Sequence, residues 1–200
     1  MQELVVEIQP ARIPGRWRDG RALHVHTVSS TYVGEDEFGR SRFDTTRSAV
    51  GELLYRLKYK GDEGVVADLA DTAASFVRSW LPAVDVLLPV PPSRTRAVQP
   101  VLVLAAAIAD RLGVECCPDC VRRTREVPEL KDVFGYDERW QLLEGLHDVL
   151  RPRVQGRKVL LFDDLFRSGA TMNSITVALY EQGHAADVFA FTLTRTRSKG

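Results

Sequence analysis

The pattern of apolar and polar positions divides the 200-residue chain into an irregular first quarter and a regular remainder. Leu4 to Ile8 and Ala22 to Val33 read as strands. The second has Leu23, Val25 and Thr27 on one face and His24, His26 and Val28 on the other. Pro10, Pro14, Gly15, Gly20, Gly34 and Gly39 punctuate this part, which predicts a β-ribbon with loops and no independent core. From Thr46 the spacing turns helical, first through Val50, Leu53, Leu54 and Leu57. It resumes through Val65, Val66, Leu69, Ala73 and Val77 after a break at Gly61 to Gly64. Val84 to Val90 reads as a short strand stopped by Pro91 and Pro92, and Val101 to Leu112 as a helix ended by Gly113. Val114 to Cys117 reads as a strand, Glu138 to Leu146 as a helix and Lys158 to Phe162 as a buried strand. Thr171 to Gln182 is then a helix closed by Gly183, and Ala186 to Leu193 a last strand. Strands alternating with helices predict an α/β fold, a mainly parallel twisted sheet flanked by helices, with its ligand at the carboxyl ends of the strands. Residues 1–48 form an N-terminal β segment packed on a core domain over residues 49–200.

Charge narrows the picture. With 27 Lys plus Arg against 27 Asp plus Glu, the chain has no excess to provide the broad basic field that duplex DNA or an anionic membrane demands. The balance hides a local bias, because Arg122, Arg123, Arg125, Arg151, Arg153, Arg157, Lys158 and Arg167 cluster late in the chain. The longest apolar run, Val101 to Ala109, is too short to span a membrane, and Glu3 and Glu7 make the start unlike a secretory signal, so a cytoplasmic location is expected. Cys116, Cys117 and Cys120 lie too close together to staple the chain, and C-C-x-x-C with no second pair reads as small buried cysteines before it reads as a zinc site, even with His24 and His26 on one strand face.

The stretch that carries chemistry is Lys158 to Thr171, KVLLFDDLFRSGAT. Its apolar strand delivers Asp163 and Asp164 at the carboxyl end, and the loop Arg167, Ser168, Gly169 opens a helix at Ala170 or Thr171. Free N–H groups at a helix start attract phosphate, and a preceding glycine lets the backbone close around it. Two adjacent carboxylates upstream suit vicinal sugar hydroxyls and a divalent cation bridging to phosphate. Neither G-x-x-x-x-G-K-[ST] nor G-x-G-x-x-G occurs, which removes the triphosphatase and dinucleotide readings. Arg167 reads equally as a phosphate ligand or a solvated loop residue. Lys58 and Lys60, with Tyr55 and Tyr59, read as a phosphate platform or as basic residues snorkelling from a packed helix.

These residues resemble the phosphoribosyl pyrophosphate (PRPP) motif of type I phosphoribosyltransferases. Leu57 to Asp62, Pro89 to Pro91, Arg122 to Arg125 with Pro128 and Lys131, and Glu138-Arg139 extend the resemblance to the ComF-like family, from about Leu53 to Leu193. The resemblance implies the type I phosphoribosyltransferase fold with an N-terminal hood, and Asp163 and Asp164 on the ribose hydroxyls of PRPP with Mg²⁺. It also implies Arg167, Ser168, Gly169, Ala170 and Thr171 around the 5′-phosphate, and Lys58, Arg94 and Arg96 as cations for the pyrophosphate. The activity implied is transfer of phosphoribosyl to an unidentified acceptor with release of pyrophosphate. The alternatives are a catalytically silent PRPP or nucleotide sensor and a DNA-uptake protein. PRPP or a related phosphoribosyl ligand is the expected partner; nucleic acid enters by family analogy only, a homodimer is allowed, and no membrane is expected. The chain departs from the family in Ala97 to Pro100, which lacks the usual Arg-Gly-Phe-Asn-Gln run, in having no cysteine before Cys116, and in Arg167, where a small hydroxylated residue is usual.

Overall fold

The computed structural model describes residues 6–81, 83–92, 99–124 and 145–197. Among them six strands form one sheet in the order β1 (Ala11–Arg12), β2 (Asp19–Val25), β10 (Asp187–Arg195), β9 (Lys158–Phe166), β5 (Val86–Pro89), β6 (Glu115–Cys116). Only β1 pairs antiparallel to its neighbour; β2, β10, β9, β5 and β6 run parallel. The fold is therefore mixed α/β with a mostly parallel central sheet and flanking helices, as the alternation of strands and helices predicts.

Strand β9 shows why both faces are covered. Leu160 and Phe162 point into one apolar cluster, Val159 and Leu161 into the other, and all four are fully buried. Helices α1 (Ala49–Tyr55), α2 (Val66–Trp80) and α3 (Pro100–Leu112) supply Leu54, Leu69 and Leu104 to the first cluster. Helix α4 (Ala170–Glu181) supplies Met172, Ile175 and Leu179 to the second, where Val121 of β7 (Val121–Arg123) and Val149 of β8 (His147–Val149) join it. Trp17 packs edge-on to Phe166, and Trp80 lies among Phe76, Phe189 and Phe191, so both serve packing.

The long strand expected over Ala22 to Val33 is divided. Its first part is β2, a member of the central sheet, held by β10 through Arg195, whose carbonyl also accepts from the His26 N–H. Past His26 the chain leaves the sheet as β3 (Thr27–Glu35), which pairs only with β4 (Ser41–Arg47) in a separate antiparallel ribbon. No glycine or proline marks the division, so an uninterrupted run of β-formers conceals it. Leu4 to Ile8 lies partly outside the described residues, and Val6 to Ile8 is not a strand. The helix expected at Glu138 to Leu146 falls largely outside them.

The expected cysteine burial holds for Cys117 and Cys120, which are in addition joined to each other by a disulfide; Cys116 is free and half-buried. Among the described residues no helix is long and apolar enough to cross a membrane, and no three His, Cys, Asp or Glu side chains are grouped as metal ligands.

Candidate functional site

The site grows out of the junction of β5 and β9. The chain leaves β5 toward β6 through α3 on one face of the sheet, and leaves β9 toward β10 through α4 on the other. Neighbouring parallel strands whose connections diverge leave a crevice at their carboxyl ends. Pairing between them stops at Pro89 opposite Phe162, with one last bond from the Val90 N–H to the Phe162 carbonyl at 2.8 Å. Pro91 and Pro92 follow and have no N–H to donate, so β5 cannot zip further. Among the described residues strand β9 continues alone on that side, four residues beyond the predicted end, still paired to β10 as far as Phe166. The acidic pair thus sits within a strand that is paired on one edge and, among the described residues, unpaired on the other.

The crevice holds about 240 Å³. Asp163, Asp164, Lys58, Arg123, Gln99 and Thr171 provide its polar lining among the described residues, beside Pro91, Pro92 and Pro100. Lys58 comes from a π-helical turn, Arg56–Lys60, that widens the end of α1 and closes at Gly61 with φ +66°. Its ammonium lies 2.6 Å from Asp164 Oδ1, with the two side chains only 16% and 14% exposed. Lys60 and Tyr59 point to solvent instead. The Asp164 N–H donates to Asp163 Oδ1 at 2.8 Å, and the Thr194 hydroxyl donates to the Asp164 carbonyl at 3.1 Å. Burial, and then the neighbouring Asp164 charge, push the Asp163 carboxyl up to about 7.

Beyond the pair, Arg167 is exposed, Ser168 is half-buried and Gly169 is buried at the N-cap of α4 with φ +73°. A Cβ on Gly169 would lie 2.7 Å from the Phe166 ring, so glycine is required both for the turn and for the close approach. The loop and first turn therefore run as predicted, with Thr171 reaching the crevice. Arg94 and Arg96 lie outside the described residues. His24 and His26 join no metal cluster among the described residues. His26 Nδ1 instead lies 3.3 Å from the Thr194 hydroxyl, and burial, Lys58 and Arg47 lower its pKa.

Sequence reasoning missed Arg123 and His147. They are register partners on β7 and β8. His147 is 2% exposed, bonds Ser174 of α4 through Nδ1 at 2.9 Å, and is driven down to about 4 by burial and by the Arg123 charge. Burial also lowers Arg123. The Arg-rich stretch was the available signal, but three-residue strands carry too little periodicity to aim one arginine of the three.

His147 and Asp163 act oppositely on stability. His147 is held neutral in the fold, so its contribution is complete above pH 6.5 and is lost as the pH falls toward 4, by roughly 3 kcal/mol at full extent. Asp163 binds its proton more tightly folded than unfolded, so its contribution is complete near pH 4 and is lost as the pH rises through 7. Urea denaturation across this window should show a shallow profile for the wild type. Stability should fall with rising pH in His147→Gln and with falling pH in Asp163→Asn; parallel profiles for all three would refute these assignments.

An acidic pair, a lysine and a helix start gathered at the switch point of a mostly parallel sheet define an α/β protein with a small, polar ligand crevice. Among curated proteins the chain is similar to competence protein ComFC of Bacillus subtilis (strain 168), 29% identical over 153 residues, 76% of this chain and 62% of ComFC. That similarity bears out the resemblance to the ComF-like family, over a chain that spans 62% of the length of the curated relative. No protein-family profile matches the chain. Similar solved structures include adenine phosphoribosyltransferase from Saccharomyces cerevisiae, 15% identical, covering 83% of this chain and 85% of that one, with a TM-score of 0.47. Another is glutamine PRPP amidotransferase from B. subtilis, 17% identical, covering 78% of this chain and 34% of that one, with a TM-score of 0.49.

Proposed function

We propose that the crevice binds PRPP, or a related ribose 5-phosphate ligand, with Mg²⁺, and that the protein transfers phosphoribosyl to an acceptor with release of pyrophosphate. The observation that carries this reading is the unbroken unit of strand β9, acidic pair, Gly169 turn and α4, with the pair and Thr171 lining one crevice. The similarity to ComFC supports it.

In this reading Asp163 and Asp164 accept hydrogen bonds from the two ribose hydroxyls and fix the ring. The free N–H groups at the start of α4, with the Ser168 and Thr171 hydroxyls, hold the 5′-phosphate. Breaking the bond from C1 to pyrophosphate builds positive charge on the sugar and negative charge on the leaving group, so catalysis is mainly positioning and electrostatics. Lys58, 2.6 Å from its Oδ1, orients Asp164. Two adjacent carboxylates with no third acidic, cysteine or histidine neighbour among the described residues fit a Mg²⁺ that retains water and ligand oxygens. When bound, the ion would neutralise charge on the departing pyrophosphate.

A thermal-shift titration tests the reading. At a hundred times Kd, PRPP with Mg²⁺ should add about 2.7 kcal/mol and raise Tm by roughly 5–10 °C. No shift at millimolar PRPP would overturn it, and a shift without pyrophosphate release across a panel of nucleobases and amines would reduce it to binding.

A further inference from the structure

From Thr27 to Arg47 no residue is buried. Five of the seven large apolar side chains exposed among the described residues, Val28, Tyr32, Val33, Phe38 and Phe43, fall in this one segment, the β3–β4 ribbon. The ribbon joins no other strand among the described residues. It is fastened near its base, where Arg47 pairs with Glu52 of α1 at 3.2 Å and lies 3.8 Å over the Tyr55 ring, and where Arg197 donates to the Val28 carbonyl at 2.6 Å. Two strands alone are marginal in water, so a ribbon that holds an aromatic pair in the open marks a surface that another chain completes.

The two outer edges of the ribbon differ. Strand β3 carries both register shifts, with Val28 and Val33 as the extra residues, and such bulges twist an edge away from further pairing. Strand β4 runs from Ser41 to Arg47 with no proline, glycine or inserted residue. Its side chains then decide what it can pair with. In a two-fold symmetric antiparallel pair the register is centred on one residue, which faces its own copy. Centring on Arg42 or Asp44 sets a charge against itself, and centring on Ser41 sets Arg40 against Arg42. Centring on Phe43 sets Arg42 against Asp44 of the second copy, twice, and opposes no like charges. In that register Phe43 also meets Phe43. Tyr32 lies opposite Phe43 within each ribbon, ring centroids 5.7 Å apart, so four aromatic rings line one face while the ion pairs occupy the other.

We propose that β4 is an association edge, through which two copies of the chain join in an antiparallel two-fold register centred on Phe43, making a four-stranded sheet in the order β3-β4-β4-β3. The inference is independent of the phosphoribosyl reading, because it uses no residue of the crevice. The new ladder supplies main-chain hydrogen bonds, and Phe43 and Tyr32, 58% and 54% exposed in the single chain, lose contact with water. The two Arg42–Asp44 pairs fix the register and exclude the alternatives.

Sedimentation velocity over a concentration series tests this with the wild type, Arg42→Asp, Asp44→Arg and the variant carrying both changes; both positions are exposed, so each variant should keep the wild-type Tm. The wild type should pass reversibly from monomer to dimer in the micromolar range. Each single change places two pairs of like charges in the interface and should raise the dimer dissociation constant roughly 10- to 100-fold. The double variant should recover the wild-type value, since its ion pairs are restored with their ends exchanged. An equimolar mixture of the two single variants should recover it as well, because one copy then offers two carboxylates and the other two guanidiniums. A local folding defect would not be cured by mixing. A wild type that stays monomeric at every concentration would overturn the proposal and leave the ribbon to a different kind of partner. A dimer that the single changes do not weaken, or that mixing does not restore, would put the interface elsewhere and overturn it too.

Discussion

Asp163→Asn should melt at a higher temperature than the wild type at pH 8 and bind PRPP at least 100-fold more weakly. Both effects have one cause. The carboxyl is held up at about 7 because burial and Asp164 oppose its charge, so above that pH the fold maintains an anion it would rather neutralise. Asparagine keeps an oxygen to accept the Asp164 N–H and removes the charge. Relief on the order of 1–3 kcal/mol corresponds to a rise of about 2–12 °C for a chain of this length. The same change deletes a charged acceptor for the ribose and half of the carboxylate pair offered to Mg²⁺. Active sites commonly trade stability for such groups. Differential scanning fluorimetry at pH 8, paired with titration of PRPP, checks both halves. A variant that is less stable and binds normally would remove Asp163 from the site.

Gly51→Ala should be the most damaging single-methyl change among the glycines of the helical core. Gly51 lies in the first turn of α1, its N–H donating to the Ser48 hydroxyl, which itself donates to the Val25 carbonyl. A Cβ there would lie 2.2 Å from the His26 carbonyl oxygen and 3.0 Å from Ser48 Oγ. A backbone oxygen cannot swing aside as a side chain can, so α1 must move away from the end of β2. The expected loss is about 3 kcal/mol or more, a fall in Tm of roughly 6–12 °C. Because α1 runs directly into the turn that carries Lys58, the shift should also weaken ligand binding. Gly113→Ala is the control: it forces φ +71° on a side chain, but into open space, and should cost only about 1 kcal/mol. Urea midpoints of the two variants test the contrast, and equal losses would refute the close approach at Gly51.

The part of the site that could be read from the sequence is the part built from consecutive residues. Asp163 to Thr171 are one strand, one turn and one helix start, and each announces itself through apolar residues, a glycine or a hydroxyl in order. Lys58 was readable as a cation near the end of a helix, but the π-helical turn that swings it against Asp164 leaves no mark in the spacing. Arg123 and His147 were not readable, because their position depends on a ribbon of two three-residue strands that meet across a long stretch of chain. For the fold the lesson is similar. The alternation of apolar runs predicted a parallel sheet, whereas the pairing of β2 with β10, from opposite ends of the chain, comes from tertiary packing alone.

Pro91 and Pro92 give the crevice a thermodynamic property. Two successive residues without an N–H make it impossible for β5 to extend its ladder over Asp163 and Asp164, with or without a ligand. Strand pairing from β5 therefore cannot close the mouth. An incoming ligand has no strand pairing to break and finds the pair already aimed at the opening, so its affinity is spared the cost of preparing the site.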